Sequence, residues 1–336
     1  MDINLIYTNE ESVERGYLND VSIDITFAKS SSDSNDFELS MDVSNYDLAF
    51  RKGSYFYTEE ATEIGGIIDV VSVDTSSETV TLTGVTWRGL LDTIYIQPPN
   101  EEEAYYSVSG EANTIIEELL FGQFDGLYVV DDVGSSDIIV DYDIRDISIL
   151  QAIEKMLYYA TPSAKLDIAH YEGKVHVKAV LIQDLSELVQ YDETYGVEMI
   201  ATTAGYSYNH ILALGSGELV ERLRLNIYMT DTGSWSVDPA DEQFVGLEKR
   251  MYKYDATNID DIDELQESAI SAAEGANSTD TIALSFDSDA EALFDMVGVK
   301  EDITGIWGTE QITSKLVKGT ITDGKANVSV TYDVGE

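Results

Sequence analysis

The chain offers few side chains suited to covalent chemistry. It has no cysteine, so a thiol nucleophile, thiolate metal sites and disulfides are excluded. Its three histidines are His170, His176 and His210. The first two stand on opposite arms of a predicted hairpin, where two imidazoles can approach each other. A zinc site needs three or four ligands and supporting partners, and no His-Glu-x-x-His run supplies them. Gly215, Ser216 and Gly217 lack the further glycine and the Lys-Ser/Thr pair of a phosphate loop, so they read as a tight turn between strands. The run "NIDDIDE" at 258–264 clusters carboxylates without the alternating ligands and central glycine of a calcium loop. It reads as the acidic first turn of a helix, where the macrodipole favours negative charge. A carboxylate pair for glycoside cleavage has no specificity here, because 64 acidic residues make coincidental pairs certain. The expectation is no metal, no cofactor and no catalytic set.

Basic residues are scarce, 19 Lys and Arg against 64 Asp and Glu, so their positions carry information. Trp87, Arg88 and Gly89 lie in "TLTGVTWRGLLDTI" at 81–94, where a predicted strand runs into an apolar segment. Arg222 and Arg224 alternate along a predicted strand. Lys249 and Arg250 abut Met251 and Tyr252. In an acidic protein such cations serve as internal or inter-subunit ion-pair partners, and arginine pairs bidentately with carboxylates. The plain alternative is an exposed ion pair worth little. These seven residues are the candidate interface and structural positions.

The formal net charge is -45. Such a surface repels nucleic-acid phosphate and anionic membranes. Salt adaptation is one reading of the excess, but lysine outnumbers arginine and isoleucine is abundant, which is not the usual salt-adapted pattern. The other reading is that the charge faces something negative that must slide past without sticking. No apolar run approaches the roughly 20 residues of a membrane span. "MDINLIYTNE" has neither the basic nor the apolar part of a secretory signal, so a soluble protein made in the cytoplasm of the cell that expresses it is expected.

These residues must be held by strands. "DVSIDITFAK" and "FELSMDV" alternate apolar and polar residues, the period of half-buried strands. "GGIIDVVSVDTSSETVTLTGV" reads as a hairpin turning near Ser76 and Ser77. Pro98, Pro99 and "NEEE" break the pattern. A helix follows, with Ser109 as its expected cap and Ile115, Ile116, Leu119 and Leu120 on its apolar face. Ser148 with Gln151 fits a capping box that opens a second helix. "AKLDIAHYEGKVHVKAV" is a hairpin turning at Glu172 and Gly173. Two more strands flank the 215–217 turn. Residues 259–275 form a helix with Ile262, Leu265, Ala269, Ala272 and Ala273 on one stripe. The last hairpin turns at Asp323 and Gly324. The class is mainly β, α+β, with two small barrel-like domains and helical or mixed inserts. The expected domains are a first barrel over 1–98, an insert over 99–200 and a second barrel-like domain with one helix over 201–336.

The order of these motifs resembles the tail hub proteins of long-tailed bacteriophages, a family related to the central hub of contractile-tail baseplates. The likeness rests on the stretch from "FELSMDVSNYDLAF" through "TGVTWRGLLDTIYIQPP", with its Thr83, Gly84, Thr86, Arg88, Gly89, Leu90, Leu91 turn. It rests further on "YNHILALGSGE", on "GLEKRMYKYDATNIDDIDELQESA" and on "GVKEDITGIWGTEQITSKLVKGTITDGKANVSVTYDVG". It implies two similar barrels per subunit and a homotrimer that matches a threefold tip to a sixfold tail tube. It also implies a channel that genome DNA crosses without specific binding. The implied partners are the tail tube or distal tail protein, tip fibre or receptor-binding proteins and the tape measure protein, without membrane insertion. The implied location is the virion tail tip. Trp87 is then expected to fill a barrel mouth, and Arg88 to pair with carboxylates of its own or a neighbouring subunit. No hydrolase segment is expected. The competing classes are a tail-associated cell-wall hydrolase and a β-rich binding module.

Overall fold

The computed structural model describes residues 3–28, 34–100, 103–188, 190–191, 198–202, 207–230, 233–276, 281–286, 297–305, 308–322 and 324–334. By contacts the chain divides into two compact units, residues 1–200 with 282–336, and residues 201–281.

The first unit begins with β1 (Leu5–Thr8), β2 (Glu14–Tyr17), β3 (Val21–Ala28), β4 (Asp36–Asp42), β5 (Tyr55–Thr58), β6 (Gly65–Asp74) and β7 (Thr79–Thr86). In β3 the alternation holds: Val21, Ile23, Ile25 and Phe27 are buried while Asp24 is exposed. Each such side chain contributes roughly 1.5–3 kcal/mol on leaving water. The β6–β7 hairpin turns where expected, with Asp74 opposite Thr79 and a bulge between Ile68 and Val70.

A mixed region follows: α1 (Trp87–Leu91), β8 (Tyr95–Ile96), β9 (Tyr106–Glu111), α2 (Ala112–Leu120), β10 (Tyr128–Val130), β11 (Ile139–Ile144), β12 (Ile147–Ser148), α3 (Ile149–Tyr158), β13 (Ala164–Tyr171) and β14 (Lys174–Leu181). Helix α2 buries the expected Ile115, Ile116, Leu119 and Leu120. Its cap is not Ser109, which lies in β9. Glu111 caps it instead, accepting from the Asn113 and Thr114 amides at 3.1 and 2.7 Å. The same carboxylate also accepts from the amides of Gly134 and Ser136, which a single serine hydroxyl cannot do. Ser148 and Gln151 form the expected capping box of α3, worth about 1 kcal/mol. Glu172 and Gly173 take positive φ at the β13–β14 turn, as a two-residue hairpin requires.

The unit is completed by β15 (Gln190–Tyr191) and, after the chain leaves through β16 (Glu198–Thr202) and returns, by strands from the C-terminal part. Within the second unit lie β17 (His210–Leu214), β18 (Arg224–Met229), β19 (Trp235–Ser236), β20 (Met251–Asp255) and α4 (Ile262–Ala276). The returning strands are β21 (Thr281–Phe286), β22 (Lys300–Gly305), β23 (Gly308–Thr322) and β24 (Lys325–Val334). Thr322 pairs with Lys325 as the last hairpin requires, although Asp323 of its expected turn lies outside the described residues.

The fold is mainly β with helical and mixed parts, as expected; the strands form several sheets without the closed barrels that the term barrel-like suggests. The large sheet runs β16-β21-β24-β23-β3-β4-β7-β6-β5-β1-β2, with β22 on β23 and β15 on β22, and no barrel closes among the described residues. Strand β23 pairs antiparallel with β3, Val317 opposite Phe27 and Ile321 opposite Ile23. The apolar faces of both therefore share one core with Leu39, Phe56, Leu82, Val328 and Val330. The contact division likewise departs from the expected boundaries, since residues 282–336 join the unit of the N-terminal strands and not residues 201–281. A second core in the same unit gathers α2, α3 and the β13–β14 hairpin around Ile116, Ile153, Leu157 and Val175.

The second unit is a mixed sheet, β19-β18-β17-β20. Its core joins Ile211, Ala213 and Ile227 to Leu265, Ala269 and Ala273 of α4. Ile262, expected on the buried stripe, is exposed. Asp261 receives the Asp263 and Glu264 amides, both at 2.9 Å, which is how the acidic run opens the helix.

Candidate functional site

Trp87, Arg88 and Gly89 are brought together on α1, directly behind β7. Thr86 starts this short helix. Its hydroxyl accepts from the Gly89 amide and donates to the Asn35 carbonyl, each at 3.2 Å. The Asn35 side chain in turn pairs with both backbone groups of Ala28. The helix is therefore laced to the end of β3.

Gly89 allows this approach. A Cβ at position 89 would sit 2.0 Å from the Asn35 carbonyl oxygen, so the position accepts no side chain.

Trp87 does not fill a barrel mouth. It is fully buried and belongs with Leu91 to the second core. Its ring stacks on His170 at 5.5 Å and meets Tyr55 edge-on at 5.6 Å. The Tyr128 hydroxyl donates to its carbonyl at 2.5 Å. Its Nε1 is buried and has no hydrogen-bond partner among the described residues, with Gly65 backbone close over it: a Cβ there would lie 2.3 Å from that nitrogen.

Arg88 is buried in full and joined to three elements. Its Nε and Nη2 donate to Glu63 at 2.7 and 3.0 Å, from the segment before β6. Its Nη1 donates to Glu154 of α3 at 2.5 Å, and Nη2 reaches the Leu166 carbonyl of β13 at 3.3 Å. Of the two expectations for its partner, own subunit or neighbour, the structure gives the own subunit. Burial acts to lower the guanidinium pKa, but Glu63 and Glu154 together outweigh it and the net shift is upward. Arg88 is thus a fixed charge at every accessible pH. Two carboxylates around one guanidinium leave a buried surplus of negative charge, with Asp167 also acting on the group. Through Arg88 the centre ties the segment before β6 of the large sheet to α3 and β13 of the second core, as a clamp.

His170 lies against this clamp, between Trp87 and Tyr57, with the Tyr57 ring centroid 4.0 Å away. Burial first, and His176 second, bring its pKa down from 6.5 to about 4. Between these values the unfolded chain binds the proton and the folded chain does not, so the stability contributed is complete above pH 6.5 and is lost as pH falls toward 4. We expect His170→Phe to flatten the dependence of the urea midpoint on pH in this window. An unchanged slope would rule the histidine out as its source. His176 instead stacks on Tyr171 and bonds Asp131 at 2.9 Å. No cluster of metal-ligating side chains occurs among the described residues.

The other four candidates lie in the second unit. Arg222 precedes β18 rather than alternating along it; it bonds Asp255 and the Gly215 carbonyl. Arg224 opens β18 and donates to the Leu219 carbonyl at 3.1 Å. Lys249 pairs with Glu242. Arg250 donates to the Leu247 and Lys249 carbonyls at 2.6 and 2.9 Å. Lys253 and Arg222 hold the Asp255 carboxyl below its usual range. Sequence reasoning missed Glu63, Glu154, Asn35 and His170 as members of the Arg88 centre.

No protein-family model matches the chain, and no curated protein matches it. Solved structures do. The chain is similar to the 43 kDa tail protein of prophage MuSo2 from Shewanella oneidensis, with a TM-score of 0.53 and 11% identity over 98% of both chains. It is also similar to prophage tail protein gp18 from Listeria monocytogenes EGD-e, with a TM-score of 0.49 and 9% identity over 99% of this chain and 95% of that one. A chain of the phage P2 baseplate in its activated conformation gives a TM-score of 0.47 and 12% identity over 98% of both. The MuSo2 likeness is one of fold and runs from end to end.

Proposed function

We propose that this chain, sharing the fold of a phage tail protein, is a structural component of a tail, placed as the hub at the distal end of the tail tube. The observation that carries the reading is the end-to-end likeness of fold to the MuSo2 tail protein. In this reading three copies form a ring below a sixfold tube, so each copy meets two tube subunits. The chain binds tube or distal tail protein on one side and tip fibre or receptor-binding proteins on the other. The tape measure protein and then the genome pass through the ring, within the virion tail tip.

The physics is mechanical and electrostatic. Three copies at -45 each give -135, and carboxylates on a lumen wall repel DNA phosphate. The Arg88 clamp keeps the sheet and the second core from shearing apart under load. No catalytic step is part of the reading.

Electron microscopy of whole particles tests it. Density for three copies at the distal end of the tube is the expected result; six copies, or a position along the shaft, would overturn the hub placement. A peptidoglycan zymogram of the purified chain should show no clearing, and a cleared band would replace the structural reading with a cell-wall hydrolase.

A further inference from the structure

Strand β20 is a free edge of the second unit. It stands last in the order β19-β18-β17-β20, and β17 is its one neighbour among the described residues. The pairing is parallel, from His210 beside Met251 to Leu214 beside Asp255. The His210 amide donates to the Arg250 carbonyl, and the Ala256 amide donates to the Leu214 carbonyl. In a parallel ladder a residue turns both its backbone groups to one side, and successive residues alternate sides. Arg250, Tyr252, Tyr254 and Ala256 therefore face β17. Met251, Lys253 and Asp255 turn N–H and C=O outward, about 6.6 Å from one to the next. Among the described residues nothing bonds these outward groups.

Sheet edges are ordinarily blunted by bulges, short length or proline. The β2 edge of the large sheet carries a bulge in its pairing with β1, and β19 has two residues. Strand β20 has none of these devices: its five residues run in unbroken register without proline. Met251 is 47% exposed. Lys253, of the residue type that guards edges, is tied to Asp255 at 2.8 Å. A row of donors and acceptors at this spacing is matched by another extended backbone.

A second copy does not suit this edge. Antiparallel pairing of β20 on itself about its middle sets Lys253 opposite Lys253, which destabilises. Chains of net charge -45 also repel each other. Asp255 is matched by Lys253 and Arg222. Beyond it the chain runs into Asp260, Asp261, Asp263 and Glu264 with no cation among them. We propose that β20 takes up an extended basic segment of a different protein as an added strand. In that segment apolar side chains alternate with lysine or arginine. The apolar ones lie beside Tyr252 and Tyr254, which pack on the core that α4 covers. This goes beyond the tail reading and does not depend on it.

Fluorescence anisotropy with the full chain tests the proposal. The probe is a labelled, end-blocked peptide that alternates valine with lysine. It is expected to bind saturably, and a peptide with glutamate for lysine about tenfold or more weaker. Lys253→Pro removes one outward amide and spares every bond to β17, a change that edge strands accept; it is expected to abolish binding. Lys253→Thr keeps the edge and is expected to bind at least as well as wild type. Two further peptides, N-methylated at alternate residues in the two possible phases, test the edge without altering the protein: one is expected to bind and the other not. Bound peptide is expected to slow hydrogen exchange at the Met251, Lys253 and Asp255 amides about tenfold or more, leaving Tyr252 and Tyr254 unchanged. No saturation up to about 1 mM peptide, equal binding by both methylated peptides, or protection away from β20 would each overturn it. So would wild type sedimenting as an oligomer that Lys253→Pro dissociates, because a copy then fills the edge.

Discussion

Arg88→Met is expected to lower the stability of the first unit by about 3–5 kcal/mol, the cost of removing one partner from a buried ion pair. The residue satisfies Glu63 twice and Glu154 once from a buried position. Without it two carboxylates stand close together inside the protein with no counter-charge, and the Leu166 carbonyl loses a donor. At roughly 2–4 °C per kcal/mol for a unit of this size, the melting temperature falls by about 6–20 °C. Arg88→Lys is expected to rescue little, because an ammonium is a point charge and cannot present a fork to Glu63 while reaching Glu154. Urea unfolding followed by tryptophan fluorescence, with the other two tryptophans, Trp235 and Trp307, changed to Phe, reads the effect at Trp87 itself. A loss below about 1 kcal/mol, the range of exposed ion pairs, would mean that the clamp contributes no more than a surface contact. Combining Arg88→Met with Glu63→Gln and Glu154→Gln should recover part of the loss, since it removes the stranded charges.

Gly89→Ala is expected to be the second most damaging change, although it adds one methyl group. The new Cβ would meet the Asn35 carbonyl oxygen at 2.0 Å. That oxygen is not the free end of a side chain. It already accepts from the Thr86 amide at 3.1 Å and from the Thr86 hydroxyl. Relief requires α1 to move off the end of β3, which breaks the helix cap and displaces Arg88 from its carboxylates. A loss of about 3 kcal/mol, the upper part of the range for overpacking, is the expected outcome. Gly89→Ala and Arg88→Met should then combine to less than their sum, since both release the same clamp. Full additivity would show that the glycine and the arginine act independently.

Much of the local structure was legible because it is decided by neighbours in the chain. The alternation of Val21, Ile23, Ile25 and Phe27, the turns near Ser76 and at Glu172 and Gly173, and the capping box of Ser148 with Gln151 each depend on residues a few positions apart. Ser109 failed as a cap for a local reason too: β9 extends through it to Glu111, whose longer side chain reaches four amides. The pairing of β3 with β23 was not legible. Both strands alternate in the same way, and alternation says which face is apolar but not which strand lies alongside. The candidate site divides along the same line. Arg88 stood out because cations are scarce, but its partners could not be chosen from 64 acidic residues when Glu63 and Glu154 lie 25 and 66 positions away. Gly89 was singled out with them, and only the approach of Asn35 explains why it must be glycine.

The β3–β23 pairing also sets a timetable for synthesis. Ala28 of β3 lies opposite Leu316 of β23, so its partner leaves the ribosome 288 residues later, 316 less 28. At about 5–20 residues per second that interval is roughly 15–60 s. Hairpins such as β6–β7 and β13–β14 close from adjacent sequence and can fold while translation continues. The edge of β3 stays open until the chain is nearly finished. Completion of the sheet is therefore a late step of high contact order, and the nascent chain must keep one edge of an apolar strand open through most of its own translation, with only β4 paired on its other side.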